Sequence, residues 1–160
     1  MVGLKQEIKQ KRPFRSVQEE VMLALARTAD IMAAPMNDLL RAADLSSSQY
    51  NVLRILRGAG EEGLPCGEIS TRMVRRDPDL TRLLDRLEAR GLVHRARSTT
   101  DRRVVTATIT PAALKLLAGL DEPVDATLKR TLAGVPAARL RTLLEILEEL
   151  RDASESSSRT

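Results

Sequence analysis

Residues 78–110 constrain the fold of this chain more than any other stretch. Leu80, Leu83, Leu84 and Leu87 recur at three- and four-residue steps, which makes one apolar face on a helix from about Pro78 to Arg90. Thr81, Arg82, Asp85 and Arg86 fall on the opposite side. Asp77-Pro78 reads as the helix start, a carboxylate cap with proline at the first helical position. Gly91 is the expected stop. Leu92 to Arg97 and Arg103 to Ile109 are strand-like, the second with alternating β-branched residues. The polar segment Ser98-Thr99-Thr100-Asp101 is the turn between them.

A helix followed by an arginine-tipped β-hairpin has the shape of a winged helix. Such a unit can fill a major groove with its helix and reach the adjacent minor groove with the hairpin. The charge distribution agrees. Residues 72–103 hold ten arginines and five acids, so this stretch alone exceeds the net charge of +4 of the whole chain. A polyanion is the natural partner, since arginine pairs bidentately with phosphate and guanine.

The rest of the chain reads as helical ends around this centre. Residues 1–13 are a flexible basic arm. Residues 14–44 carry a helix from about Ser16 to Ala42, with Val21, Leu25, Thr28, Met32 and Leu39 as one buried stripe; Pro35 should kink or break it. Ser46 and Gln49 are spaced for a capping box on a helix running to about Arg57, which buries Tyr50, Leu53 and Leu56. Leu64 and Pro65 open a short helix that ends near Met73. Thr110-Pro111 caps a further helix, which Pro123 should interrupt. After Gly134-Val135-Pro136, a last helix places Leu140, Leu143, Leu144, Leu147 and Leu150 at coiled-coil-like spacing. Residues 111–153 are thus C-terminal helices suited to dimerisation, and 154–160 a disordered polar tail. The fold class is mainly α with a small β-hairpin wing (α+β), a winged helix-turn-helix at 45–110 between N- and C-terminal dimerisation helices.

Several chemistries are disfavoured. No apolar run approaches the roughly 20 residues needed to span a bilayer, and the polar N-terminus lacks the apolar core of a signal peptide. A cytoplasmic location and no membrane partner are therefore expected. The single cysteine and single histidine make no metal cluster, and there is no glycine-rich phosphate loop, so neither an enzyme nor a cofactor is expected. Cys66 reads as a small packing residue, with a redox role through a lowered thiol pKa as the alternative. His94 reads as a surface group, and Met22, Met32, Met36 and Met73 as core filling.

Residues 45–110 resemble the MarR family of winged-helix transcription regulators. The matching motifs are Leu45 to Arg54, Glu68-Ile69, Leu80 to Arg95 and Asp101-Arg102-Arg103. Helices in the right order extend the likeness to nearly the whole chain. The resemblance implies a homodimer binding double-stranded DNA, usually a repressor on a pseudo-palindromic operator, and often released by a small-molecule effector. It places Arg82 and Arg86 on the recognition helix and Arg103, with Arg102, in the minor groove. It also implies that Arg95 pairs with Asp101 to brace the wing. The residues themselves then suggest base or phosphate contact by Thr81, Arg82 and Arg86 and phosphate contact by Arg97, the alternative for Arg82 and Arg86 being a surface ladder of ion pairs with Asp85 or Asp79. The chain departs from the pattern with Pro65 in place of a hydroxyl cap, with Ala112-Ala113 after Thr110-Pro111, and with only Phe14 and Tyr50 as aromatics. An effector pocket would then be aliphatic. The rival reading is a winged-helix module that binds protein instead of DNA.

Overall fold

The computed structural model describes residues 2–97 and 104–157. Its helices are α1 (Leu4–Glu7), α2 (Val17–Ala42), α3 (Ser47–Ala59), α4 (Cys66–Arg72), α5 (Leu80–Ala89), α6 (Pro111–Leu132) and α7 (Ala137–Ser157). Three strands, β1 (Leu64–Pro65), β2 (Val93–Arg97) and β3 (Val105–Ile109), form an antiparallel sheet in the order β1-β3-β2. The chain is mostly helical with a small winged sheet.

The core sits inside the central unit. Val52, Leu53 and Leu56 of α3, Ile69 of α4, Leu84 and Leu87 of α5, Ala107 of β3 and Leu117 of α6 are almost completely buried. Burying a leucine side chain contributes about 1.5–3 kcal/mol, so these contacts hold α5 at a fixed attitude. Two ion pairs lock the unit to its flanks. Arg57 of α3 pairs with Asp121 of α6 through bonds of 2.9 and 3.0 Å. Arg90, after α5, reaches back to the carbonyl and carboxylate of Asp44, the latter at 3.2 Å.

The local signals explain most element ends. Ser46 and Gln49 form the reciprocal capping box at α3. Gly91 takes a φ of 66° beyond α5, where its N–H donates to the Glu88 carbonyl and that of Leu92 to the Leu87 carbonyl. That pair of bonds is a Schellman stop, and the positive φ favours glycine.

Five expectations are corrected. Pro123 does not interrupt α6, because Leu117, Leu120, Val124 and Thr127 are buried on both sides of it and hold one helix axis. Pro35 likewise does not break α2, which runs continuously through it. Leu64 and Pro65 precede the helix instead of forming its first turn: Pro65 is the cap residue of α4, and the two residues make a strand, paired Leu64 to Ala107 and Pro65 to Thr106. It lies at the sheet edge, where a residue without an N–H is tolerated. The cap of α5 is Asp79, whose carboxylate accepts from the Arg82 N–H at 3.4 Å; Asp77 instead accepts from the Asp79 N–H and closes the preceding turn. Finally, most of the stripe on α2 is not buried within its own chain: Val21, Leu25 and Met32 are exposed, as is Met22, while Leu39 is half-buried against the core. The ends differ too. Part of the basic arm forms α1, whose Glu7 pairs with Arg27, and α7 continues through residues 154–157.

Gly63 gives a sharp test of the β1 edge. It has a φ of +65°, and a β-carbon there would lie 2.3 Å from the Ala107 carbonyl oxygen. Gly63→Ala should cost more than ~1 kcal/mol, read as a lower urea midpoint at unchanged slope. An unshifted midpoint would contradict this close approach.

Candidate nucleic-acid interface

The leucines of α5 that enter the core fix which residues it turns outward. Leu83, Leu84 and Leu87 are buried, and Thr81, Arg82, Asp85 and Arg86 are exposed. Arg82 is paired with Asp79 at 3.2 Å, yet 77% of its side chain remains accessible. Arg86, one turn further on, is exposed and, unlike Arg82, has no ion-pair partner among the described residues. Arg97 is exposed at the end of β2. Asp101, Arg102 and Arg103 lie outside the described residues.

Arg95 has a different setting. Its side chain is only 20% exposed and packs between β2 and α5. Its Nη2 donates to Glu88 Oε2 at 2.7 Å and its Nε to the same oxygen at 2.9 Å. Nη2 also contacts Asp85. The Arg95 backbone N–H donates to Glu88 Oε1 at 2.9 Å. These bonds hold the Glu88 carboxyl below the usual carboxylate range and raise the Arg95 guanidinium further. Glu88 and Asp85 are therefore partners of Arg95, and the pairing with Glu88 was not legible in the sequence. The signal was the seven-residue step from Glu88 across the Gly91 stop to Arg95, which becomes a contact only once the chain reverses.

The structure adds residues from other elements. Ser46, Ser48 and Gln49 at the head of α3 share a cleft of about 220 Å³ with Arg82 and Arg86. Beyond Ser48, a groove of about 490 Å³ is lined by Asn51, Arg54, Val74 and Arg75. The Asn51 side chain accepts from the Val74 N–H at 2.9 Å, which fixes the start of the turn between α4 and α5. Arg54 lies over the Tyr50 ring, 5.9 Å from its centre. Arg54 and Arg75 thus extend the basic surface beside α5. Cys66, in contrast, has its thiol pKa pushed up, chiefly by burial, which is opposite to the shift a reactive cysteine needs.

An arginine-faced helix beside a small antiparallel sheet is matched in known proteins. Residues 45–105 match the model of the MarR family. The HTH-type transcriptional regulator TtmR of Methylorubrum extorquens (strain PA1) is 33% identical over 141 residues, covering 86% of this chain and 69% of that protein. The chain belongs to the MarR family. The HTH-type transcriptional repressor IacR of Pseudomonas putida is 31% identical over 124 residues, covering 78% of this chain and 73% of that protein. The crystal structure of a MarR transcription factor from Planctomyces limnophilus is 42% identical, with a TM-score of 0.66, covering 85% of this chain and 98% of the other. The protein is accordingly a MarR-family DNA-binding transcription regulator, from a family of regulators and not of enzymes. Among the described residues, no helix is long and apolar enough to cross a membrane.

Proposed function

We propose that this MarR-family protein is a cytoplasmic repressor that binds a pseudo-palindromic operator as a homodimer. The observation that carries the dimer is α7. None of its residues from Ala137 to Ser156 is buried, and among the described residues no other element packs substantially against it. Leu143, Leu144, Ile146 and Leu150 are all more than 40% exposed, and Val21, Met22, Leu23 and Ile31 of α2 add to this uncovered apolar surface. A second copy of the chain would cover it. Two recognition helices would then enter major grooves about one duplex turn apart. Thr81, Arg82 and Arg86 would contact bases or phosphates there, Arg97 a phosphate, and Arg102 and Arg103 the minor groove, with Asp101 helping to brace the wing. The name of IacR favours repression over activation. Release by a small-molecule effector belongs to the same proposal. With Phe14 and Tyr50 the only aromatics, the effector site would be aliphatic.

Selection of bound duplexes from a random pool by the full-length protein tests this reading. Two inverted half-sites with centres about 10 base pairs apart are the expected product. Enrichment of a single unrepeated site, or of nothing, would count against it. On the selected duplex, Arg103→Ala should weaken binding without unfolding the protein, and should lower the salt slope by about one. Unchanged affinity across several salt concentrations would remove Arg103 from the interface.

A further inference from the structure

We infer that Glu88 is a positioning residue for the wing: acting through Arg95, it fixes the attitude of β2 to the recognition helix, so that helix and hairpin engage the two grooves as one rigid reader.

The argument starts from the sheet order. β2 is an edge strand, bonded to β3 on one side only. On its free side the Arg95 N–H would be an open donor. Glu88 takes it at 2.9 Å through Oε1, while its Oε2 takes the Arg95 Nε and Nη2 at 2.9 and 2.7 Å. One carboxylate thus holds a backbone group and a side chain of the same strand residue. A strand rotated about its own axis could not keep all three bonds. Asp85, one turn before Glu88 on α5, adds a contact to the same guanidinium.

The brace is separate from what holds the sheet in the core. Val93 is buried at the base of the hairpin, and Ala107, opposite Arg95 on β3, is buried as well. The brace instead controls the part of β2 that leaves the core, where Ala96 and Arg97 are exposed. Arg97 is two residues beyond Arg95, about 7 Å along the strand. Glu88 is also unsuited to touch DNA itself, since phosphate would repel its carboxylate. Its sequence position suggests only a polar flank of a helix, and its partner is known only from the packing of β2 on α5.

This inference rests on the reading that the wing enters the minor groove, and the experiment separates the two. Full-length wild-type protein and Glu88→Gln are footprinted on the duplex that the wild type selects. Dimethyl sulfate reports guanine N7 in the major groove, and hydroxyl radicals report sugars along the minor groove. Glu88→Gln should keep the dimethyl sulfate protections and a wild-type melting temperature. It should lose the hydroxyl-radical protections on the flanks, with affinity down about tenfold, the size of one lost arginine contact. Arg95→Lys, which keeps the charge but not the planar fork, should lose the same protections. Wild-type flank protections in both variants would overturn the role of Glu88. Parallel loss of both kinds of protection with a lowered melting temperature would reduce it to a fold contact and overturn it equally. If the wild type itself shows no flank protection, the minor-groove reading falls and the inference with it.

Discussion

A chain carrying Leu143→Glu and Leu144→Glu together is expected to run as a folded monomer and to lose at least ~100-fold of its affinity for the palindromic duplex. Both leucines are exposed on a helix that packs against nothing substantial among the described residues, so neither substitution removes a contact from the core. Two carboxylates facing their counterparts across a two-fold axis would desolvate and repel one another. The large loss of affinity comes from linkage. A dimer binds its second half-site as an intramolecular step, and joining two binding modules commonly adds 10²–10⁴-fold to the affinity of one. Sedimentation at several concentrations reads the assembly, circular dichroism the fold, and titration of the selected duplex the affinity. A double variant that remains dimeric would place the interface elsewhere. One that is monomeric yet binds with wild-type affinity would show that a single reading head suffices.

The second large effect is expected on α5. Arg86→Ala should lower affinity for the selected duplex by about 5- to 150-fold, the equivalent of the 1–3 kcal/mol carried by a bidentate base contact. Arg82→Ala should cost less, because Arg82 already spends part of its donor capacity on Asp79, at 3.2 Å. The two outcomes for Arg86 differ in kind. If it reads a base, the loss falls on the cognate duplex and not on duplexes altered at that pair. If it grips a phosphate, all sequences weaken alike and the salt slope drops by about one. Titrations on the selected duplex and a scrambled one, at three salt concentrations, distinguish these. No loss on either duplex would remove Arg86 from the interface. Melting temperatures should stay close to wild type, since both side chains are exposed.

Whatever depends on neighbours in sequence could be read directly. The Ser46–Gln49 box, the Gly91 stop and the leucine face of α5 each involve residues at most a turn or two apart. Choices between near-equal local options were harder. Asp77 and Asp79 are both able caps, and the carboxylate that met the Arg82 N–H took the role. Leu64-Pro65 carries a helix-start signal, but pairing with β3 made it a strand. Pro123 is a local breaker that the buried residues on either side of it overrode.

Of the candidate site, the sequence by itself determined the arginines of α5 and their outward direction, because helical period ties the polar face to the apolar one. It also determined that a hairpin follows the helix. Only the tertiary structure decided how Arg95 is held, since its contacts with Glu88 and Asp85 need the chain to reverse. Only the structure, too, brought Ser48 and Gln49 beside Arg82 and Arg86, and tied Arg57 to Asp121 across 64 residues. The apolar stripes of α2 and α7 show the same division. Periodicity marks them as surfaces to be covered, but whether a chain covers its own stripe depends on the packing of distant segments. Here most of each stripe is left open to solvent, and the surface that a second copy would occupy becomes visible.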